Sequence, residues 1–170
     1  NLFAVSGILF NHESPFRGEE FVTRKITKGL VNIIDGKLNC LELGNIYSKR
    51  DWGYSEDYVE AMWMMLQQKK AEDFVISSGK TYTVKEFINK AATHYGYDLV
   101  WKGKGLNEKA VDKKSKKIVV KIDKRFFRPT EVNTLYGNSS KAKKILKWSP
   151  KTNINDLIKK MCDYEIAKYD

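Results

Sequence analysis

The sequence has few of the residues that cross-link a small protein or bind metal in it. Its 170 residues include only two cysteines and two histidines. Cys40 and Cys162 form no Cys-x-x-Cys motif, and the histidines have no metal-ligand spacing. The composition therefore predicts neither a disulfide framework nor a metal site, and it favours a reducing, cytoplasmic compartment.

Long apolar runs and targeting signals are also missing. No run of roughly 18 apolar residues could form a membrane helix, and Asn1–Phe10 lacks the basic start and the small-residue cleavage site of a signal peptide. The apolar fraction of 42% is ordinary for a globular protein. No membrane partner is therefore expected.

Acidic residues are outnumbered, with 21 Asp and Glu against 31 Lys and Arg, for a net charge of +10. Such a balance is one mark of nucleic-acid-binding proteins. The lysines concentrate between Lys102 and Lys124, without the arginine and aromatic motifs of RNA-recognition domains. A solvated surface explains them, so nucleic acid is not the expected partner. A basic nucleic-acid-binding module is the alternative from a different functional class.

The apolar start of the chain predicts a buried β-strand. Leu2–Phe10 is interrupted only by Ser6 and Gly7. Strands that are buried on both faces have this composition and belong to parallel sheets covered by helices. One such strand cannot form a sheet alone, and no initiator methionine precedes it. We therefore expect the chain to begin partway through a larger α/β domain.

Ser48–Leu66 combines two adjacent cations with a strongly patterned helix. Apolar side chains recur at i, i+3, i+4 and i+7, which predicts a largely buried helical face. These positions are Val59, Met62, Trp63 and Leu66. Asp57 with Glu60 has the spacing of a capping box. Lys49 and Arg50 precede the helix start, where N–H groups and an arginine can bind phosphate. A solvated basic pair is the alternative.

Polar residues follow the first strand, where ligands bind in open parallel sheets. Asn11, His12 and Arg17 occupy this stretch, and Lys25 on the following helix can reach back over it. His12 taken alone fits a hydrogen-bonded structural histidine. The arginine five residues later is what favours a binding site for a cofactor or substrate.

A second arginine lies in the segment RFFRPTEV. Arg128 directly precedes Pro129, and Glu131 follows shortly after it. The arginine can bind a diphosphate while the carboxylate accepts hydrogen bonds from sugar hydroxyls, because the proline restricts the backbone between them. A surface ion pair is the alternative. KGKG at Lys102–Gly105 lacks the rest of either glycine-rich nucleotide motif and predicts a loop.

Local signals predict further elements of an α/β fold. Thr83 and Glu86 have capping-box spacing before an amphipathic helix, and Gly96 suits the position after its end. Ile118–Ile122 alternates like a strand at a sheet edge, which neighbouring lysines would keep soluble.

Several of these motifs, in the same order, resemble those of GDP-mannose 4,6-dehydratases. These enzymes belong to the extended short-chain dehydrogenase/reductases that act on nucleotide-diphosphate sugars. The motifs are NHESP with RG, FVTRKI, RDWGYSEDYVEAMW and RFFRPTEV. The resemblance implies the C-terminal part of an NAD(P)-binding Rossmann-type enzyme, mostly its small mixed α/β substrate-binding domain. Phe16 departs from the pattern, which usually has an arginine there, so no contact is carried over to it.

The resemblance also implies which residues bind ligands. His12 and Arg17 match residues that contact NADP, the implied cofactor. Arg50 and Arg128 match arginines that bind the sugar nucleotide, and Glu131 is expected at its ribose. The predicted GDP-mannose-binding residues are Asn11, Val22, Lys25, Arg50, Arg128 and Glu131, of which Asn11 is included for its position after the first strand.

The family's catalytic residues have no match in this chain and are expected upstream of Asn1. Tyr164 and Lys168 repeat the Tyr-x-x-x-Lys spacing of these enzymes, which we interpret as coincidence. The implied domains are residues 1–20, the last part of the dinucleotide-binding domain, and residues 21–170, mainly the substrate-binding domain with segments that return to the first. The implied partners are a missing N-terminal Rossmann half and further copies in a homo-oligomer. A GDP-sugar reductase or an epimerase of the same superfamily is the alternative function.

Overall fold

The computed structural model describes residues 2–127 and 130–168. Strands and helices alternate, which confirms the mixed α/β class. The strands are β1 (Gly7–Leu9), β2 (Asn11–Glu13), β3 (Leu41–Leu43), β4 (Lys49–Arg50), β5 (Trp52–Tyr54), β6 (Phe74–Ile76), β7 (Tyr82–Thr83), β8 (Leu99–Lys102), β9 (Lys109–Asp112), β10 (Ile118–Ile122) and β11 (Thr134–Leu135). The helices are α1 (Val22–Ile34), α2 (Ser55–Leu66), α3 (Val84–His94), α4 (Ser140–Ile145) and α5 (Ile154–Ile166).

The chain forms two compact units that interleave along the sequence. The first contains Asn1–Ser14, Lys49–Tyr82 and Thr134–Leu157. The second contains Pro15–Ser48, Thr83–Asn133 and Ile158–Asp170. The chain thus passes repeatedly between the units. The division into a cofactor part up to residue 20 and a substrate part after it stays a prediction.

The first strand is shorter and more exposed than its sequence predicts. β1 pairs in parallel with β6, and β2 places Asn11 and His12 on a strand paired with β5 instead of in the expected loop. Leu2 and Ile8 are 92% and 56% exposed in this chain, so burial of the strand on both faces within a larger sheet stays a prediction. Within the described residues β1 belongs to a sheet of two strands, so it is hydrogen-bonded to a neighbouring strand along one edge only.

Helix α2 forms where the pattern predicts, but it buries a different face. Val59, Trp63 and Leu66 of the predicted stripe are 60%, 61% and 56% exposed. The helix itself has apolar residues on more than one face, so its own sequence does not select which face is buried. The core of the first unit comprises Tyr58, Ala61, Met65, Phe74, Ile76, Ala142, Leu146 and Trp148.

The predicted capping box at the start of α2 does not form. The N-cap is Tyr54, whose side chain makes no capping bond. Asp57 lies in the first turn, and its carboxylate accepts hydrogen bonds from the backbone N–H groups of Lys151 (3.1 Å) and Thr152 (2.9 Å). The Trp148 indole N–H donates to the Asp57 carbonyl oxygen at 2.9 Å. Asp57 therefore connects α2 to residues 148–152.

The second unit contains a four-stranded sheet in the order β3-β10-β9-β8, with α1 next to β3 and α3 next to β8. β10 pairs in parallel with β3 and antiparallel with β9. The prediction of a sheet edge at Ile118–Ile122 is therefore wrong, and Val119 and Val120 are fully buried. The capping box of Thr83 and Glu86 does start α3, as predicted.

The lysine-rich segment between Lys102 and Lys124 is a solvated surface, as predicted. All its lysines are exposed. Two of its carboxylates, Glu108 and Asp112, are buried. Glu108 accepts hydrogen bonds from Lys85 and Tyr47, and Asp112 accepts them from backbone N–H groups. The lysine side chains of this segment therefore face solvent, whereas Glu108 and Asp112 are buried and accept hydrogen bonds from within the protein.

The described part of the chain has no helix that is long and apolar enough to cross a membrane. Within the same residues, no group of three or more His, Cys, Asp or Glu side chains could hold a metal ion. Cys40 and Cys162 are free thiols.

Candidate functional site

His12 is held in one orientation on β2. Its Nδ1 lies 2.9 Å from the carbonyl oxygen of Phe10, and its ring centroid lies 5.4 Å from that of Tyr58. Because a carbonyl oxygen only accepts hydrogen bonds, Nδ1 carries the proton in this contact. In this tautomer Nε2 is an acceptor, which suits a hydroxyl or an amide N–H of a ligand.

Arg50 and Asn11 lie on neighbouring segments of the first unit. Asn11 on β2 is opposite Trp52 on β5, and Arg50 comes shortly before Trp52 on β4. The Arg50 side chain is partly buried, and its Nη1 donates to the carbonyl oxygen of Lys49 at 2.8 Å. The structure therefore brings Asn11 close to the segment that carries Arg50.

The adjacent Asp51 organises this region, although the sequence gives no signal for it. Asp51 is fully buried. Its carboxylate accepts hydrogen bonds from the backbone N–H groups of Ser78 (2.7 Å), Gly79 (2.9 Å) and Gly137 (3.3 Å). These partners are far away in sequence, so local spacing could not have indicated the role. Asp51 thereby connects three segments of the unit next to Arg50.

The ring of Tyr58 packs against the ring of His12. The Tyr58 hydroxyl is fully buried. Burial raises the pKa of Tyr58, and the nearby Asp51 and Asp57 carboxylates raise it further. A Cβ on Gly53 would lie 2.3 Å from the Tyr58 ring, so only glycine fits beside it. His12 therefore packs against a neutral phenol ring, which in turn packs against Gly53.

Arg17 and Val22 lie together at the start of α1 in the second unit. The Arg17 guanidinium carbon is 3.6 Å from the ring centroid of Phe21, the N-cap residue of this helix. Val22 is the first helical residue and is partly buried. A cation beside the positive end of a helix suits an anionic group such as phosphate.

Lys25 lies over an aromatic ring. Its ammonium nitrogen is 3.5 Å from the centroid of Phe126, in the turn just before Arg128. Burial lowers the pKa of Lys25, against the opposing effect of the Glu42 and Asp123 carboxylates. Lys25 is thus packed against RFFRPTEV (residues 125–132), the segment that contains the predicted substrate-binding residues Arg128 and Glu131. Arg128 itself lies outside the described residues.

Glu131 contacts a buried serine. The Ser48 hydroxyl donates to Glu131 Oε1 at 3.0 Å and is also 3.1 Å from the carbonyl oxygen of Asn45. Ser48 is 2% exposed. The two partners are 83 positions apart, so the sequence gives no signal for this pair. Ser48 therefore restricts the carboxylate that is expected at the ribose.

A family model described as GDP-mannose 4,6 dehydratase matches residues 1–161. The GDP-mannose 4,6 dehydratase of Cricetulus griseus is 49% identical over 166 residues, which make up 98% of this chain and 45% of that protein. The chain spans less than half the length of the curated relatives that it matches.

Solved structures show the same fold. RMD from Pseudomonas aeruginosa, solved with NADPH, has a TM-score of 0.80 at 18% identity, over 98% of this chain and 49% of that one. The dTDP-glucose 4,6-dehydratase of Bacillus anthracis, solved with NAD, has a TM-score of 0.72 at 16% identity, over 96% and 44% of the two chains. The chain therefore has the fold of about half of an NAD(P)-binding extended short-chain dehydrogenase/reductase.

Proposed function

Because this chain belongs to the GDP-mannose 4,6 dehydratase family, we propose that the whole protein is a lyase that converts GDP-mannose to GDP-4-keto-6-deoxy-mannose and water. In this proposal the chain supplies the sugar-nucleotide-binding part. The observation that carries the proposal is 49% identity to such an enzyme across 98% of the chain. Two contacts within the second unit support it: Lys25 packs on Phe126, just before Arg128, and Ser48 holds Glu131.

The diphosphate of GDP-mannose is bound by Arg50 and Arg128 in this proposal. Arginine can make two parallel hydrogen bonds to phosphate oxygens. Glu131, held by Ser48 at 3.0 Å, accepts hydrogen bonds from the ribose hydroxyls. Lys25 adds a positive charge from a partly buried position, and Asn11 and Val22 complete the contacts.

The proposed cofactor is NADP, and the donor set fits it. Arg17 is placed for a phosphate at the start of α1, and His12 presents one imidazole nitrogen as an acceptor for a hydroxyl or an amide. A bound NADP would supply the acceptor, and later the donor, of a hydride from the sugar. The residues of this chain bind and orient the nucleotide groups around that chemistry.

Proton transfer is assigned to residues outside this chain, in an N-terminal Rossmann half. Tyr164 and Lys168 have the family's spacing, but the Lys168 ammonium lies 4.5 Å from the centroid of the Tyr164 ring. This is a packing contact in the second unit, so we assign neither residue a catalytic role. We further propose that residues 1–20 complete the dinucleotide-binding domain and that the enzyme is a cytoplasmic homo-oligomer.

The test of the sugar-nucleotide site replaces one of two adjacent cations. Arg50→Ala in the full-length protein should raise the KM for GDP-mannose by the equivalent of about 2 to 3 kcal/mol, because it removes a charge-assisted hydrogen-bonded contact. Lys49→Ala is the matched control. Lys49 is exposed, and its substitution keeps the carbonyl oxygen that accepts from Arg50. An unchanged KM in Arg50→Ala, or formation of a different product by the unvaried protein, would refute the proposal.

A further inference from the structure

A buried ion pair contacts the backbone of the segment that contains Arg17. Arg24 on α1 is 6% exposed and Glu165 on α5 is 1% exposed. The Arg24 Nε donates to a Glu165 carboxylate oxygen. The Arg24 Nη1 donates to the backbone carbonyl oxygen of Arg17 at 2.7 Å. One guanidinium thus connects the C-terminal helix to the backbone of the predicted cofactor arginine.

The geometry of this contact depends on arginine. The planar guanidinium directs different N–H groups at Glu165 and at the Arg17 carbonyl oxygen at the same time. A lysine ammonium at this position could keep the charge pair with Glu165, but it lacks the fork that reaches both acceptors. Arg24 therefore serves a second purpose besides neutralising a buried carboxylate.

Aromatic contacts restrict the same segment. Phe16, the residue before Arg17, lies 5.2 Å from the ring of Tyr164 in an edge-to-face arrangement. Tyr164 also lies 5.6 Å from the guanidinium of Arg24. Side chains of α5 thus contact both Phe16 and Arg24. Phe16 nevertheless stays 79% exposed, so the hydrogen bond from Arg24, more than this ring contact, holds the segment.

We propose that Arg24 is a positioning residue: paired with Glu165, it fixes the backbone of Arg17 so that the Arg17 guanidinium meets a phosphate of NADP. This inference rests on the proposed function for its ligand. Arg24 itself touches no ligand in this scheme. Its effect on NADP passes through Arg17, whereas Arg50, which binds the diphosphate of GDP-mannose in the proposed function, belongs to the first unit.

The test uses Arg24→Lys in the full-length protein, freed of bound nucleotide and titrated with NADPH by fluorescence. The dissociation constant for NADPH should rise about tenfold, the scale of one lost hydrogen bond to a well-placed group, while that for GDP-mannose changes by less than about twofold. Glu108→Gln is the control for loss of stability, since it weakens a different ion pair of a buried carboxylate in the same unit, that of Glu108 with Lys85 at 2.7 Å. The control should lower the melting temperature and leave NADPH binding unchanged.

A double-mutant cycle separates positioning from general destabilisation. If Arg24 acts through Arg17, Arg24→Lys should have no further effect on NADPH binding in an Arg17→Ala background. Equal effects in the two backgrounds, or a loss of NADPH affinity in Glu108→Gln that matches its loss of stability, would overturn the inference. An unvaried protein that binds no NADPH would overturn the proposed cofactor and this inference together. Normal NADPH binding by Arg24→Lys would overturn the inference alone.

Discussion

Several predicted ligand-binding side chains are held by neighbouring groups to which no ligand contact is assigned. The Phe10 carbonyl and the Tyr58 ring orient His12, and the Ser48 hydroxyl restricts Glu131. Such contacts lower the conformational entropy that a ligand must otherwise remove on binding. Residues one step removed from the ligand should therefore affect affinity measurably.

Ser48→Ala should raise the KM for GDP-mannose several-fold and leave kcat unchanged. The substitution removes a hydrogen bond to Glu131 worth about 1 kcal/mol, and the freed carboxylate must be ordered when the ribose binds. Glu131 does not contact the reacting atoms, so the lost interaction stabilises the bound substrate and the transition state equally. The KM therefore rises while kcat stays the same. Steady-state kinetics on the full-length protein measures it. In a Glu131→Ala background Ser48→Ala should add nothing, and a fall in kcat would contradict this account.

At the scale of elements, a glycine allows the turn before Arg128 to approach β3. Gly44 follows β3, and a Cβ added to it would lie 2.1 Å from the carbonyl oxygen of Phe126. Real Cβ atoms do not approach backbone that closely. Phe126 in turn carries the Lys25 contact at 3.5 Å. The position of the turn Lys124–Phe126 thus depends on the absence of a Cβ at Gly44.

Gly44→Ala should displace the turn Lys124–Phe126 and weaken GDP-mannose binding as well as stability. The overlap is with backbone, so the chain has to move, at a cost of about 1 to 3 kcal/mol in unfolding free energy. Gly36→Ala is the control, because Gly36 has a φ of +71° but no neighbour within 4 Å of an added Cβ. It should destabilise the protein through backbone strain alone. Denaturation and GDP-mannose titrations measure both effects, and equal substrate affinity in the two variants would contradict the prediction.

At the scale of the whole molecule, the candidate residues are divided between two units. Asn11, His12 and Arg50 belong to the first, while Arg17, Val22, Lys25 and Glu131 belong to the second. The chain achieves this by crossing between the units several times. The first unit also exposes an apolar face of α2 that comprises Val59, Trp63 and Leu66.

The exposed face of α2 should make the isolated 170-residue chain self-associate. Contiguous apolar surface of this kind is rare on monomeric proteins and promotes aggregation. Trp63→Lys should lower the weight-average mass measured by sedimentation at a given concentration. Leu106→Lys is the control, as Leu106 is 55% exposed in the second unit and lies on no helix face of this kind. Equal masses for the unvaried chain and Trp63→Lys would show that this face does not drive association.

Sequence alone determined the features whose partners are close along the chain. The capping box of Thr83 and Glu86 joins residues three apart, and Gly96 adopts a φ of +81° after the same helix. The positions of α2 and β10 also follow from local periodicity. The candidate binding residues came from short motifs that resemble a known family, and those motifs need no tertiary information to be found.

Tertiary structure decided which faces are buried and which distant groups meet. α2 has apolar residues on more than one face, so only packing against β6 and Trp148 selected Tyr58, Ala61 and Met65 for the core. β10 became a central strand because both β3 and β9 pair with it. The bonds of Ser48 with Glu131 and of Arg24 with Glu165 join residues 83 and 141 positions apart. No local propensity encodes such pairs, because each forms only once many other contacts have fixed both backbones.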